Sequence, residues 1–191
     1  MKPATLQTVL LVIDVQESFR RRPYWQVDDL PTFFASTQSL IDRCRERAIP
    51  VVQIFHQEPG EDLSNPFHPD SGFIRTLPEL KISADAVFYK EVHSALYGRS
   101  TDGVTLEQWL RHHAVQQILV AGIRTEQCCE TTTRHASDLG YKVRFATDAT
   151  LTFPMQSRSG KRFSTDEIRE RTELVLDGRF AQVVRAAEAL L

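Results

Sequence analysis

The sequence predicts an α/β protein, a three-layer α/β/α fold built on a six-stranded, mostly parallel sheet with helices covering both faces. Three observations predict it. Short runs rich in Val and Ile recur along the chain. Longer segments with helical spacing of apolar residues lie between them. The chain, at 191 residues with 41% apolar and 25% charged side chains, is long enough for one domain with a full core and is ordinary for a globular protein.

The predicted strands run Thr8 to Asp14, Pro50 to Phe55, Ala86 to Lys90, Gln117 to Ala121, Lys142 to Thr147 and Phe180 to Val184. The first helix, Asp29 to Arg47, carries Leu30, Phe33, Phe34, Leu40, Ile41 and Cys44 near a 3.6 period, and Pro50 cannot continue it. A second helix spans Leu106 to His113. A third, Cys128 to Leu139, is closed by Gly140. The fourth, Thr165 to Leu176, is opened by Ser164 or Thr165, with Asp166 and Glu167 suited to the positive end of its dipole. Gln57 to Pro78, rich in Pro and Gly, reads as a long irregular loop, and Leu151 to Lys161 as a second one. No internal repeat or low-complexity tract interrupts the pattern.

Composition narrows the function. A net charge of -2, with Lys and Arg spread along the chain, offers no basic stripe for a phosphate backbone, which argues against nucleic acid and for a small neutral or anionic substrate. No apolar run approaches the roughly 20 residues of a membrane-spanning helix. Met1 to Thr8 lacks the regions of a signal peptide, so no membrane partner and a cytoplasmic location are expected. Three cysteines cannot all pair, and the adjacent Cys128 and Cys129 are poorly placed for a bridge, so free thiols are expected.

Asp14, Lys90 and Cys128 each follow the carboxyl end of a predicted strand. In a parallel sheet those ends share one side, where open α/β sheets bind ligands near the switch in strand order. Their chemistry is complementary. A helix N-terminus and a nearby cation lower a thiol's pKa, so Cys128, with Lys90 beside it, is expected to be an activated nucleophile. Asp14 is placed to take the thiol proton and return it to a leaving nitrogen, and backbone amides of the turn Ile123 to Cys128 to face an oxyanion. Singly, each has a plainer explanation: Asp as a cap, Lys as a solvated strand end, Cys as a small buried hydrophobe.

At these residues the sequence resembles the isochorismatase-like cysteine hydrolases, whose fold is Rossmann-like and whose members include nicotinamidases and N-carbamoylsarcosine amidases. Three segments carry the resemblance: Leu10-Leu11-Val12-Ile13-Asp14-Val15-Gln16 with Phe19 after it; Lys90 followed by Ser94-Ala95-Leu96-Tyr97-Gly98; and Gly122-Ile123-Arg124-Thr125-Glu126-Gln127-Cys128. The resemblance implies Asp14, Lys90 and Cys128 as a catalytic triad. It also implies a non-proline cis peptide between Ile123 and Arg124 that aims the amides of Arg124 and Cys128 at an oxyanion. A homodimer or homotetramer without a cofactor is implied as well.

Departures from the family pattern refine this. Nicotinamidases carry an Asp-x-His metal motif after the second strand, where this chain has Ile54-Phe55-His56, so no metal is expected. His56, His68 and Asp62 remain a weak alternative set. True isochorismatases commonly lack the nucleophilic Cys, so Cys128 favours hydrolysis of an amide or carbamoyl C-N bond through a thioester. Vinyl-ether hydrolysis of an isochorismate-like acid and an idle binding protein on the same fold are the alternatives. Candidate substrate contacts are Gln16, Phe19, Trp25, His56, Tyr97, Arg124 and Gln127, with Tyr24 as a further wall. Arg124 either clamps a substrate carboxylate or turns into a salt bridge or subunit contact. Cys129 is expected to point off the catalytic face. The run Arg20-Arg21-Arg22 is expected to be a solvated loop, with attraction of an anionic substrate as the other reading.

Overall fold

The computed structural model describes residues 7–26 and 28–191, and most of the stretch Met1 to Thr8 considered above lies outside them. The strands are β1 (Thr8–Ile13), β2 (Val51–His56), β3 (Ala86–Lys90), β4 (Gln117–Ile123), β5 (Lys142–Leu151), β6 (Met155–Gln156), β7 (Arg162–Phe163) and β8 (Gln182–Val184). The helices are α1 (Leu30–Glu46), α2 (Leu106–His112), α3 (Glu130–Asp138) and α4 (Thr165–Leu176).

Six strands form one sheet in the order β3-β2-β1-β4-β5-β8, with every neighbouring pair parallel. The chain builds outward from β1 to β3, then returns to the other side of β1 for β4. The switch therefore falls between β1 and β4.

Alternation along β1 divides the core. Leu10 and Val12 join Leu30, Phe33, Leu40, Ile41 and Cys44 of α1 on one face. Val9, Leu11 and Ile13 join Leu106 and Leu110 of α2, Ala136 of α3 and Leu176 of α4 on the other. Burial of both faces accounts for the nearly continuous apolar character of the strands.

Several boundaries differ from the sequence reading. β4 runs two residues further than predicted because Gly122, at φ 139, lets it lie against β1. A Cβ there would stand 2.0 Å from the Ile13 carbonyl oxygen. β5 continues to Leu151 past a register shift against β4 between Val120 and Gly122, and the predicted second loop begins as strand and then forms the antiparallel β6-β7 hairpin. The turn before α3 is a π-helix over Thr125–Cys129, in which the Cys129 amide donates to the Arg124 carbonyl at 3.2 Å. Helical structure thus starts three residues earlier than predicted, and Cys128 sits within the first turn instead of opening it.

Ser164, not Thr165, caps α4, in a reciprocal capping box with Glu167. The long loop after β2 is anchored by Phe67 and Leu77, both buried. Among the described residues no helix is long and apolar enough to cross a membrane.

Candidate active site

Asp14, Lys90 and Cys128 meet at the carboxyl edge of the sheet. Asp14 directly follows β1 with φ 54, an unusual conformation for a non-glycine residue, and its amide donates to the Ile54 carbonyl at 2.8 Å. Lys90 ends β3, and its side chain is fully buried. Its ammonium lies 2.8 Å from Asp14 Oδ2, 3.3 Å from Cys128 Sγ and 3.4 Å from His56 Nδ1. Three N-H donors therefore face three acceptors. The Asp14 contact has ion-pair distance without hydrogen-bond angles, and both carboxylate oxygens remain without a hydrogen bond. Asp14 is thus a buried acceptor with capacity to spare.

The electrostatics correct one expectation. Burial, and then the charge of Asp14, push the Cys128 thiol up, and Lys90 only partly offsets them. That direction is opposite to the depression anticipated from a helix start and a cation. Burial works to lower Lys90, but the interactions with Asp14 and then Cys128 outweigh it and raise the ammonium's pKa. His56 is held below its ordinary value by burial and by Lys90. A neutral ring accepting at Nδ1 from Lys90 and donating from Nε2 to Glu58 at 3.3 Å fits both partners.

Thr125 explains why the turn bearing Cys128 holds its shape. Its hydroxyl donates to Thr150 Oγ1 at 2.8 Å, and Thr150 donates to the Thr147 carbonyl at 2.8 Å, tying the turn to β5. The Ile123-Arg124 peptide is cis. The loop after Lys90 is stitched to α3 at two points. Ser94 Oγ lies 2.8 Å from His135 Nδ1, and the Ala95 amide donates to Thr132 Oγ1 at 2.9 Å. Neither His135 nor Thr132 was singled out in the sequence, since each acts only through a partner about 40 residues away.

The remaining candidates divide. Gln16 is buried with both ends of its amide engaged, donating to Ser18 Oγ and the His56 carbonyl and accepting from the His56 amide at 2.8 Å. It braces β1 to β2 and has no amide atom left for a substrate. Phe19 packs edge-on to Phe67 at 5.0 Å inside the core, which makes it a wall at most. Trp25 and Tyr24 are half-buried against Phe153, at ring distances of 5.4 and 5.2 Å. Gln127 is half-buried, its amide donating to the Arg124 carbonyl.

Tyr97 is 63% exposed, lies 5.0 Å from the His135 ring and lines a cleft of about 810 Å³ together with Lys90, Ser94, Gln57 and Thr131. Of Asp14, Lys90 and Cys128 only Lys90 lines this cleft, and Cys128 is 7% exposed. Arg124 takes the salt-bridge alternative: its Nε lies 2.9 Å from Glu126 Oε1, and its guanidinium lies 5.1 Å from the Tyr24 ring centroid and 5.5 Å from that of Phe153.

Cys129 is fully buried in the core and its thiol is raised, first by burial. Cys44, Cys128 and Cys129 are all free. The arginine run is not simply solvated, because Arg20, Arg21 and Arg22 lie over Trp25, Phe73 and Phe67 respectively. His68 Nδ1 accepts from the Asp70 amide and Asp62 accepts from Ser64, so neither turns toward His56. Among the described residues no group of three His, Cys, Asp or Glu is placed to hold a metal ion.

The isochorismatase domain model matches residues 8–186. Nicotinamidase 3 of Arabidopsis thaliana is 29% identical over 194 residues, covering 95% of this chain and 86% of that protein. An isochorismatase-family protein from Chromobacterium violaceum of known crystal structure superposes with TM-score 0.83 at 28% identity, covering 100% of this chain and 95% of the other. The N-carbamoylsarcosine amidase of Thermoplasma acidophilum, at 18% identity, shares the fold with TM-score 0.71 over 96% of this chain and 98% of that one.

Proposed function

Since this chain belongs to the isochorismatase family and is a hydrolase of that superfamily, we propose that it cleaves the C-N bond of a small amide or carbamoyl compound with Cys128 as nucleophile. The observation that carries the reading is the ammonium of Lys90 lying between a buried carboxylate and a buried sulfur, 2.8 Å from one and 3.3 Å from the other.

Each unit by which the thiol is raised costs about 1.36 kcal/mol toward a free thiolate, so deprotonation is best coupled to attack. Asp14, whose oxygens lack hydrogen bonds, takes the proton as the sulfur adds to the carbonyl carbon. The backbone amides of Arg124 and Cys128 are assigned to the oxyanion. Asp14 then returns the proton to the nitrogen, the C-N bond breaks, and ammonia or an amine leaves a thioester on Cys128. Water, deprotonated by Asp14, cleaves the thioester to the acid and restores the thiol. Lys90 stands against the Asp14 carboxyl before attack and offsets charge on sulfur during it. The small exposure of Cys128 favours a compact substrate. Assembly as a homodimer or homotetramer belongs to the same reading, and sedimentation over a range of concentrations tests it.

The decisive experiment is a screen of small amides, carbamoyl compounds and isochorismate with wild type and Cys128→Ala in parallel. Loss of amide or carbamoyl turnover in a folded Cys128→Ala protein is the expected result. Turnover that survives the substitution overturns the nucleophile and favours vinyl-ether chemistry, and absence of turnover in wild type favours an idle binding protein.

A further inference from the structure

The Lys90 ammonium makes two directed hydrogen bonds, and one of them leaves the group formed by Asp14, Lys90 and Cys128. The first goes to Cys128 Sγ at 3.3 Å and the second to His56 Nδ1 at 3.4 Å, while the contact with Asp14 has distance without hydrogen-bond angles. The place of the charge between carboxylate and sulfur is therefore set in part by the last residue of β2.

His56 is itself fixed as an acceptor. Its backbone is pinned by Gln16, which accepts from the His56 amide and donates to its carbonyl, so the strand end keeps its place without help from the ring. The ring stands edge-on to Phe67 at 5.7 Å, and its Nε2 lies 3.3 Å from Glu58 Oε1. Glu58 is held in turn from further along the loop. Asn65 donates to Glu58 Oε2 at 2.7 Å, and the Glu58 amide donates to the Phe67 carbonyl at 2.8 Å. Burial raises the Glu58 carboxyl, but the hydrogen bond from Asn65, then the His56 ring and Arg22, bring it below its ordinary value. An ionised carboxylate accepts and cannot donate, so Glu58 selects the Nε2-H form of a neutral ring and turns the Nδ1 lone pair onto Lys90. A ring that served packing alone would leave its nitrogens idle. Here both are engaged, one of them on the ammonium.

We propose that His56 and Glu58 are positioning residues of the active site: Glu58 fixes the tautomer of His56, and His56 holds the Lys90 ammonium against Cys128 Sγ. His56, expected from the sequence to contact substrate, thus acts through Lys90. This deepens the hydrolase reading above and rests on it for the role of Cys128.

The test uses the whole protein and needs no known substrate. Iodoacetamide is reacted with it at pH 8, and labelling of Cys128 is followed by mass spectrometry. The S-C bond forms, the C-I bond breaks, iodide leaves, and the thiol proton passes to Asp14 and then to buffer. Lys90 lowers the Cys128 thiol, so an ammonium that drifts from the sulfur slows labelling. His56→Leu, of similar bulk but without an acceptor, is expected to slow it about tenfold, the equivalent of one pKa unit. His56→Asn, which keeps an acceptor near the place of Nδ1, is expected to recover most of the rate, and Glu58→Leu to give an intermediate one. In the background Asp14→Asn with Lys90→Met, His56→Leu is expected to change nothing, because the group through which it acts is gone. Two-bond proton-nitrogen NMR spectra of wild type, with the His56 signals assigned from His56→Asn, are expected to show a neutral ring carrying its proton on Nε2.

A His56 ring protonated on Nδ1 at pH 8 overturns the proposal without reliance on the fold of any variant. A wild-type labelling rate in folded His56→Leu overturns it, and so do equal losses in His56→Leu and His56→Asn, which would make the ring a packing group. A loss that persists without Lys90 overturns the action through the ammonium. If His56→Leu does not fold, a wild-type rate in Glu58→Leu overturns the pairing. If the labelling results hold while Cys128→Ala retains hydrolysis, the positioning stands and the nucleophile reading fails. If Cys128 of wild type is never labelled, both fail.

Discussion

Lys90, at the end of β3, reaches past the intervening β2 to place its ammonium 2.8 Å from Asp14 Oδ2 at the end of β1. Both side chains are fully buried. Removing one partner of such a pair strands the other charge, at a cost of roughly 3–5 kcal/mol. Lys90→Met is therefore expected to lower the unfolding free energy by about that amount, and Asp14→Asn combined with Lys90→Met to recover much of it. Denaturant unfolding of the two single variants and the double variant measures the coupling. Additive losses would mean that the pair contributes no interaction of its own.

The same carboxylate should oppose the reactivity of the thiol while serving the reaction. Asp14 raises the Cys128 thiol and Lys90 lowers it. In Asp14→Asn the raising charge is gone and the lowering one remains, so iodoacetamide should label Cys128 faster at pH 8 than in wild type, while hydrolysis falls by a factor of 10² or more through loss of the base. Labelling that slows in Asp14→Asn would contradict this electrostatic assignment.

His56 provides a pH dependence of stability. Its folded pKa is held below the ordinary 6.5 by burial and by Lys90. As pH falls through 6.5 the unfolded chain takes up a proton that the folded ring resists, so the folded state loses stability on acidification and regains it above that pH. The melting temperature of wild type should fall more between pH 7 and pH 5 than that of His56→Asn. Parallel curves would show that His56 does not contribute.

Gly122→Ala tests the contact between β1 and β4. The added methyl would meet backbone, 2.0 Å from the Ile13 oxygen, at φ 139, so no side-chain adjustment relieves it. The loss should exceed the ~1 kcal/mol of an ordinary substitution several-fold, with β1 and β4 forced apart beneath Asp14 and Cys128. A melting temperature within a few degrees of wild type would show that the strands can separate there at little cost.

The layered fold and the meeting of Asp14, Lys90 and Cys128 were legible because strand periodicity and position at a strand end are local properties, and a parallel sheet turns them into proximity. What escaped the sequence depends on distant partners. Gln16 looks like a substrate contact until the His56 backbone, 40 residues on, claims its amide. The pKa direction of Cys128 depends on how deeply it is buried, which spacing does not encode. The π-turn at Thr125–Cys129 is held by threonines on β5 that carry no motif. Arg20, Arg21 and Arg22 read as a polar loop because the rings beneath two of them, Phe73 and Phe67, come from the long connection after β2.

The ammonium of Lys90 has one more consequence. With acceptors from Asp14, Cys128 and His56 all within 3.4 Å, it is closed in on three sides. A ligand that comes to it has to push a resident aside. The sulfur is the weakest acceptor of the three, so occupancy by substrate and release of the nucleophile would become a single exchange, and the empty enzyme would keep its thiol tethered between turnovers.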